Sequence, residues 1–358
     1  MVMHALSLQG AAAADSYPLR TGLWTTQRLP NDTASMKTFA ANVAASRDLT
    51  GISLHIPWSG LEKESGEFDF HFLDDTIAIL RQKHFKYQLC LKPGTDTPSF
   101  VYAAGAHSFT THITNPHRPN VGAKVTIPIP WDPIYEREFS LMIKELGARY
   151  ANDPLCVSVV LTCANYLSAE MHLPKTRADL ENWSELGDYG AKLLAVYQKY
   201  TDDWAKAFPR QELCLHISKV LDLPPDFCAK VVDYCLKSYS QRFALQSCQL
   251  NGRREDTGMM TYDLILRYRD RTHHGFQSLA GLTNHNERMG SMEMAALNLV
   301  HATADYWELW NGDGFNLSTC AAANKTWKEA RDLGYQSYKS KLIAEGKYLD
   351  DGSKLSAL

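Results

Sequence analysis

Residues 51–75 read GISLHIPWSGLEKESGEFDFHFLDD. The first part is a strand: apolar side chains alternate with Ser53 and His55 until Pro57 and Trp58 break the run. The last part opens a helix at Leu73 and Asp74, with a helical pattern over residues 72–83. Between them Gly66 makes a bend, and Phe68 and Phe70 are expected to face a layer of helices. Glu62, Glu64 and Glu67 read as structural or solvated acids of an outer turn. Strand, turn and helix in so short a span form the repeating unit of an α/β chain.

The same unit recurs on both sides. Strand-like runs appear as LRTGLW (19–24), KYQLCLKPG (86–94), LCVSVVLTC (155–163), ELCLHIS (212–218), RFALQSCQL (242–250), HGFQSLAGL (274–282) and ADYWELW (304–310). Helical patterns follow over residues 34–47, 177–207, 225–237, 261–269, 289–301 and 325–341, and another begins where Asp132 caps and Pro133 takes the first turn. Eight such units predict an α/β fold of the (β/α)8 TIM-barrel type. A doubly wound open sheet would favour a GxGxxG after its first strand, and none is there. Residues 95–131 have little periodicity and follow the third strand, so they are expected to wall the cleft as a long loop. The expected organisation is a tail or signal remnant at 1–16, one barrel at 17–345 and a C-terminal tail at 346–358.

Composition narrows the partners. The net charge is −3 over 358 residues, which gives no general attraction to nucleic acid or an anionic membrane. No apolar run approaches the roughly 18 residues of a membrane span. The eight cysteines include no CxxC, and several lie in apolar runs, which reads as buried thiols. Small residues near the N-terminus leave two readings open, an export signal remnant or a tail, and tilt the location toward secreted or periplasmic. No cofactor and no metal are implied, and the oligomeric state is open. Aromatic residues reach 11%, a supply of flat rings suited to the C–H face of a sugar.

In a barrel the chemistry gathers at the C-terminal ends of the strands. Those ends carry Trp24 (first), His55 and Trp58 (second), Asn165 and Glu170 (fourth), Asn251 (sixth), Gln277 with Glu287 in the following loop (seventh), and Glu308 and Trp310 (eighth). Carboxylates ringed by Trp, Asn, His and Gln suit glycoside hydrolysis, which needs an acid and a second carboxylate. Glu170 follows a very apolar strand, a setting that keeps a carboxyl protonated. Glu308 and Trp310, two apart on a strand, share a face. The bland reading of Glu308 pairs it with a buried arginine, Arg20 or Arg253.

The stretch IPWSGLEKESGEFDFHFLDDTIAILRQKHFKYQLCLKPG, followed by IPWDPIYEREFSLMIKELGARYANDP, resembles the glycoside hydrolase clan A barrels, β-galactosidase-like and β-agarase-like. The resemblance implies a hydrolase of O-glycosidic bonds in an oligo- or polysaccharide, retaining, with Glu170 as acid/base. Two departures stand out. Ala169 precedes Glu170 where the clan has Asn, leaving Asn165 or Asn251 to reach the sugar, and Gln277 stands where the clan has its nucleophilic Glu. The second carboxylate is then Glu308, or Glu287, or is lost at Gln277. An inverting glycosidase and a non-catalytic carbohydrate-binding barrel remain the alternatives.

Overall fold

The computed structural model describes residues 17–283 and 286–349. Strands β1 (Gly22–Arg28), β2 (Gly51–Pro57), β3 (Lys86–Lys92), β6 (Cys156–Val160), β7 (Glu212–Ile217), β8 (Phe243–Leu250), β9 (His273–Ser278) and β10 (Tyr306–Leu309) close into one parallel barrel. They neighbour one another in that order, and β10 returns to β1. Helices between the strands cover the outside, so the chain is a (β/α)8 barrel as its alternation predicts. The expected 1–16 tail lies outside the described residues. Of the expected 346–358 tail, Tyr348 and Leu349 are described and packed: Tyr348 donates its hydroxyl to Glu255, and Leu349 is buried. The packed chain therefore runs past residue 345.

Two expectations change in detail. The helical pattern at 325–341 is two helices, Leu317–Leu333 and Tyr335–Ala344, broken where Gly334 takes a φ of +74° that other residues rarely adopt. The segment 95–131 is not structureless. It holds a short helix, Ser99–Ala103, and an antiparallel hairpin of β4 (Ser108–His112) and β5 (Lys124–Pro128). The hairpin has one exposed face and one covered face, with Phe109, Thr111, Val125 and Ile127 turned toward the protein, but each strand is only five residues long, too short a run for its alternation to stand out.

The opening stretch folds as read, with one reversal. Phe68 stacks on Phe70, whose ring meets Tyr150 of the helix Pro133–Tyr150 edge-on. Glu62 is fully buried and accepts from the Trp58 indole N–H at 2.8 Å and from the Gly66 amide at 2.9 Å. Trp58 itself packs against Tyr135 and Phe139 of that helix and is fully buried. It belongs to the layer between barrel and helices, and does not face the mouth. All eight cysteines are buried free thiols.

The barrel bore is polar. Arg20, just before β1, places a fully buried guanidinium in its lower half. Its Nε lies 2.7 Å from Glu212 Oε1, and its backbone N–H donates to Glu212 Oε2 at 3.1 Å. Nη1 donates to Gln88 Oε1 (3.1 Å) and Gln246 Oε1 (3.2 Å), and Nη2 donates to the Tyr306 hydroxyl and the Cys214 sulfur. Burial works to raise the Glu212 pKa, but Arg20 and then His273 overcome it and hold the carboxyl at about 2. A native pKa below the unfolded one contributes stability above the unfolded pKa, and that stability is lost as pH falls toward the native value. Arg20→Met is expected to cost about 3–5 kcal/mol by stranding a buried carboxylate. Urea denaturation checks this. The parent's stability should decline as the pH is lowered from 5 toward 2.

Candidate active site

Glu170 is held over the bore by the loop that leaves β6. Leu161 N–H donates to Cys214 O and Met171 N–H to His216 O, so the loop stays zipped to β7. Inside it, Asn165 accepts from the Cys163 N–H at 2.7 Å and donates from Nδ2 to the Glu170 carbonyl at 2.6 Å. Asn165 thus fixes the backbone that aims Glu170, and both ends of its amide are occupied. Ala169 packs on Cys90 and Val160 inside the barrel. Gly94, after β3, has a φ of +64° and touches the loop so closely that a Cβ there would lie 2.4 Å from Asn165 O.

The hairpin closes one side. Tyr166 donates its hydroxyl to His112 O at 3.1 Å, and Arg118, in the β4–β5 connection, donates to Leu167 O at 3.2 Å. Arg118 also sets a positive charge near the Glu170 carboxyl. Burial nevertheless dominates and pushes Glu170 up to about 7, against the pull of the Ser168 hydroxyl and Arg118. At neutral pH about half of the molecules then carry a protonated carboxyl, the state a general acid needs.

Below it the inward side chains of five strands converge. Cys248 of β8 feels both Glu170 and Glu308, which add to burial in raising its thiol. Glu308 of β10 is fully buried, accepts from Gln246 Nε2 at 3.3 Å, and turns Oε2 toward Arg20 Nη1 at 3.7 Å. Arg20 is thus the arginine partner that the bland reading required. Burial raises the Glu308 pKa and Arg20 opposes it. Gln277 of β9 lies in register with Glu308 and is 6% exposed. His216 of β7 places Nδ1 3.8 Å from the Cys248 sulfur and is electrostatically coupled to His55 of β2. Burial, then Lys92, depresses His55 to about 3, and burial also lowers His216, so both rings are neutral. Trp310 is 40% exposed at the rim, its indole N–H on Ser278 O at 2.9 Å.

Three other expected residues are placed elsewhere. Trp24 lies inside the bore, buried against Val157 and Tyr306 with its N–H on Thr21 O, so it fills the barrel and offers no face to a ligand. Asn251 donates to Asp256 Oδ1 at 2.8 Å and accepts from the Arg253 N–H, which commits it to shaping the loop after β8. Glu287 is exposed on the short helix Asn286–Met289 beyond β9. Sequence reasoning passed over His216 and Cys248. The alternation Glu212, Cys214, His216 along β7 was the available signal. Among the described residues no group of three or more His, Cys, Asp or Glu is arranged to hold a metal.

The family model described as Beta-galactosidase matches residues 21–200. The fold is shared with the catalytic domain of β-amylase from Paenibacillus polymyxa: TM-score 0.55, 11% identity, 89% of this chain and 100% of that one covered. The cold-adapted β-galactosidase from Rahnella sp. R3 gives TM-score 0.57 and 11% identity over 88% of this chain and 57% of that one. The β-galactosidase from the psychrophilic Marinomonas ef1 gives 0.55 and 13% over 94% and 62%. This chain therefore spans less than two thirds of either β-galactosidase. No curated protein matches.

Two outcomes follow from the geometry. Asn165→Ala should lower kcat about 10-fold or more with little change in KM, because it releases the Glu170 backbone without removing a group that holds substrate. Steady-state kinetics checks this. A carboxyl raised from 4.5 to about 7 destabilises the fold as pH rises through that window. Glu170→Gln should therefore be more stable than the parent at pH 8 by up to about 3 kcal/mol, with the gain absent at pH 4, as measured by denaturant melts at both values.

Proposed function

The chain belongs to the beta-galactosidase family of glycoside hydrolases, and on that premise we propose that it hydrolyses an O-glycosidic bond in an oligo- or polysaccharide at the mouth of the barrel, with Glu170 as acid/base. The observation that carries this reading is the Glu170 carboxyl itself, half-buried on the loop after β6 and pushed up to about 7 by desolvation. In the first step it gives its proton to the departing glycosidic oxygen. In the second it takes a proton from the attacking water.

For the second carboxylate we propose Glu308. It is inward-facing and fixed by Gln246 and Arg20, while Glu287 is exposed outside the bore. Cys248, which senses both Glu170 and Glu308, supports their sharing one site. In a retaining reaction the Glu308 carboxylate attacks the anomeric carbon as the leaving oxygen is protonated, and water then releases the sugar. Burial raises the Glu308 carboxyl, and the charge of Arg20 works against burial toward the ionised form that attack requires. One observation favours a second reading. Glu308 is fully buried and Gln277, beside it, is an amide, as expected of a barrel that binds a sugar without cleaving it.

The test uses Glu170→Gln, Glu308→Gln and Glu287→Gln on an oligosaccharide panel, with and without azide. Glu170→Gln should lose about 10²–10⁴-fold in kcat/KM. Glu308→Gln should be inactive and partly rescued by azide with an inverted product, and Glu287→Gln should match the parent. Parental rates in Glu308→Gln would falsify its role as nucleophile. A parent that binds glycans and cleaves none supports the binding barrel.

A further inference from the structure

The hairpin brings to the edge of the mouth a cation that no carboxylate of the fold takes up. Arg118 sits in the β4–β5 connection between Pro116 and Pro119, whose rings fix φ and stiffen the turn. Its N–H donates to Asn115 O, and its Nη2 reaches across to Leu167 O at 3.2 Å, on the loop that carries Glu170. Tyr166 ties the same loop back to the hairpin at His112 O. Among the described residues the Arg118 side chain has no other hydrogen bond and no carboxylate at ion-pair distance. Most of its planar fork of N–H donors is therefore unused. Lys175, further along the Glu170 loop, likewise has no partner among the described residues. The nearby acid, Asp179, is buried and spent on the N–H and hydroxyl of Thr176. His172 adds no charge, since burial, then Lys175 and Arg118, push its ring down to about 4. A cation beside a general acid lowers the pKa that the reaction needs raised, a cost that an anion arriving with the substrate would cancel.

We propose that Arg118, backed by Lys175, forms a cationic subsite for the leaving group and selects a departing sugar that carries a carboxylate or sulfate. This rests on reading Glu170 as the acid/base. A general acid stands beside the oxygen that leaves, so the hairpin that leans on its loop flanks the departing sugar, while the bore holds the other one. A guanidinium fork matches a pair of oxygens on a carboxylate or sulfate, and an ammonium adds a point charge. The bond to Leu167 O fixes the fork against the Glu170 loop before any ligand arrives, so little ordering is left to binding. The other cations of the barrel are committed. Lys92, at the end of β3, is paired with Asp96 at 2.9 Å, and Arg20 is spent inside the bore on Glu212, Gln88, Gln246, Cys214 and Tyr306. Discrimination by charge therefore falls to the leaving-group side of the scissile bond.

The experiment compares the parent, Arg118→Gln, Arg118→Lys, Lys175→Gln and Glu170→Gln on galactosides that differ in the departing residue. Lactose and lactitol are neutral there, lactobionate carries a carboxylate, and lactose sulfated on its glucose carries a sulfate. Calorimetry with methyl β-glucoside, methyl β-glucuronide and methyl β-glucoside 6-sulfate reads recognition apart from cleavage. The expected result is that the parent prefers the acidic members over the neutral ones by about 10-fold or more, in kcat/KM or in affinity, and that the preference shrinks as salt is added. Arg118→Gln should abolish the preference and Arg118→Lys restore part of it. Lys175→Gln, which removes a charge and no hydrogen bond, should reduce it by a smaller factor. Preference for the carboxylate alone points to a uronic acid and preference for the sulfate alone to a sulfated sugar, and either supports the subsite. The proposal is overturned if the parent shows no acidic preference in rate or affinity, absence of binding included, or if Arg118→Gln keeps it. It is also overturned if Arg118→Gln lowers the melting temperature and weakens neutral and acidic members equally, the mark of a structural role. Loss of the preference in Arg118→Gln while Glu170→Gln retains full hydrolysis supports the subsite and rejects Glu170 as the acid. An inactive Glu170→Gln in a protein without acidic preference does the reverse.

Discussion

The contact between Arg20 and Glu212 holds the interior of this barrel together. A barrel core is ordinarily filled with branched apolar side chains. Here a guanidinium occupies the axis, and four strands turn polar groups toward it: Gln88, Cys214 with Glu212, Gln246 and Tyr306. A buried charge is tolerated only when it is paired and fully hydrogen-bonded. Arg20 meets that condition through groups from β3, β7, β8 and β10, so the closure of the barrel and the neutralisation of the arginine are the same event.

The site inherits its electrostatics from that plug. Glu308 is near enough to Arg20 to feel its charge, while Glu170 above is reached only by the charge of Arg118 from the hairpin. Burial raises both carboxyl groups, and a different cation opposes it at each, Arg118 at Glu170 and Arg20 at Glu308. Rigidity at the rim has local sources. Asn165 pins the Glu170 backbone, Gly94 allows β3 to pass against it, and the hairpin leans on the same loop through Tyr166.

Much of this was legible in the sequence, and the omissions have a pattern. The strands could be read because each is a short apolar run between turn residues, and Glu170 because it follows the most apolar of them. The network at Arg20 was not legible, because its partners lie 68 to 286 residues away and no local pattern joins them. Trp58 was misplaced although the rule that places it was at hand. Alternation puts His55 and Pro57 on the inner face, so Trp58 falls on the outer one. Trp24 obeys alternation yet is too deep, since depth along the barrel axis depends on how strands are staggered, and one strand alone does not reveal that. Asn165 and Asn251 were recognised as loop amides at strand ends, but their partners are the loops themselves. His216 carried no motif. It is conspicuous only once β7 and β2 are seen to face each other across the bore.

The claim on which the rest turns is the protonation state of Glu170. Carbon-13 NMR of protein labelled at the glutamate carboxyl carbon, titrated from pH 3 to 9 and assigned by the signal lost in Glu170→Gln, measures it without reference to any substrate. A transition centred near 7 is what burial over the bore requires. A transition in the ordinary carboxylate range of about 4–4.5 would mean that the group is solvated and ionised at neutral pH, and it would contradict the assignment of Glu170 as the acid.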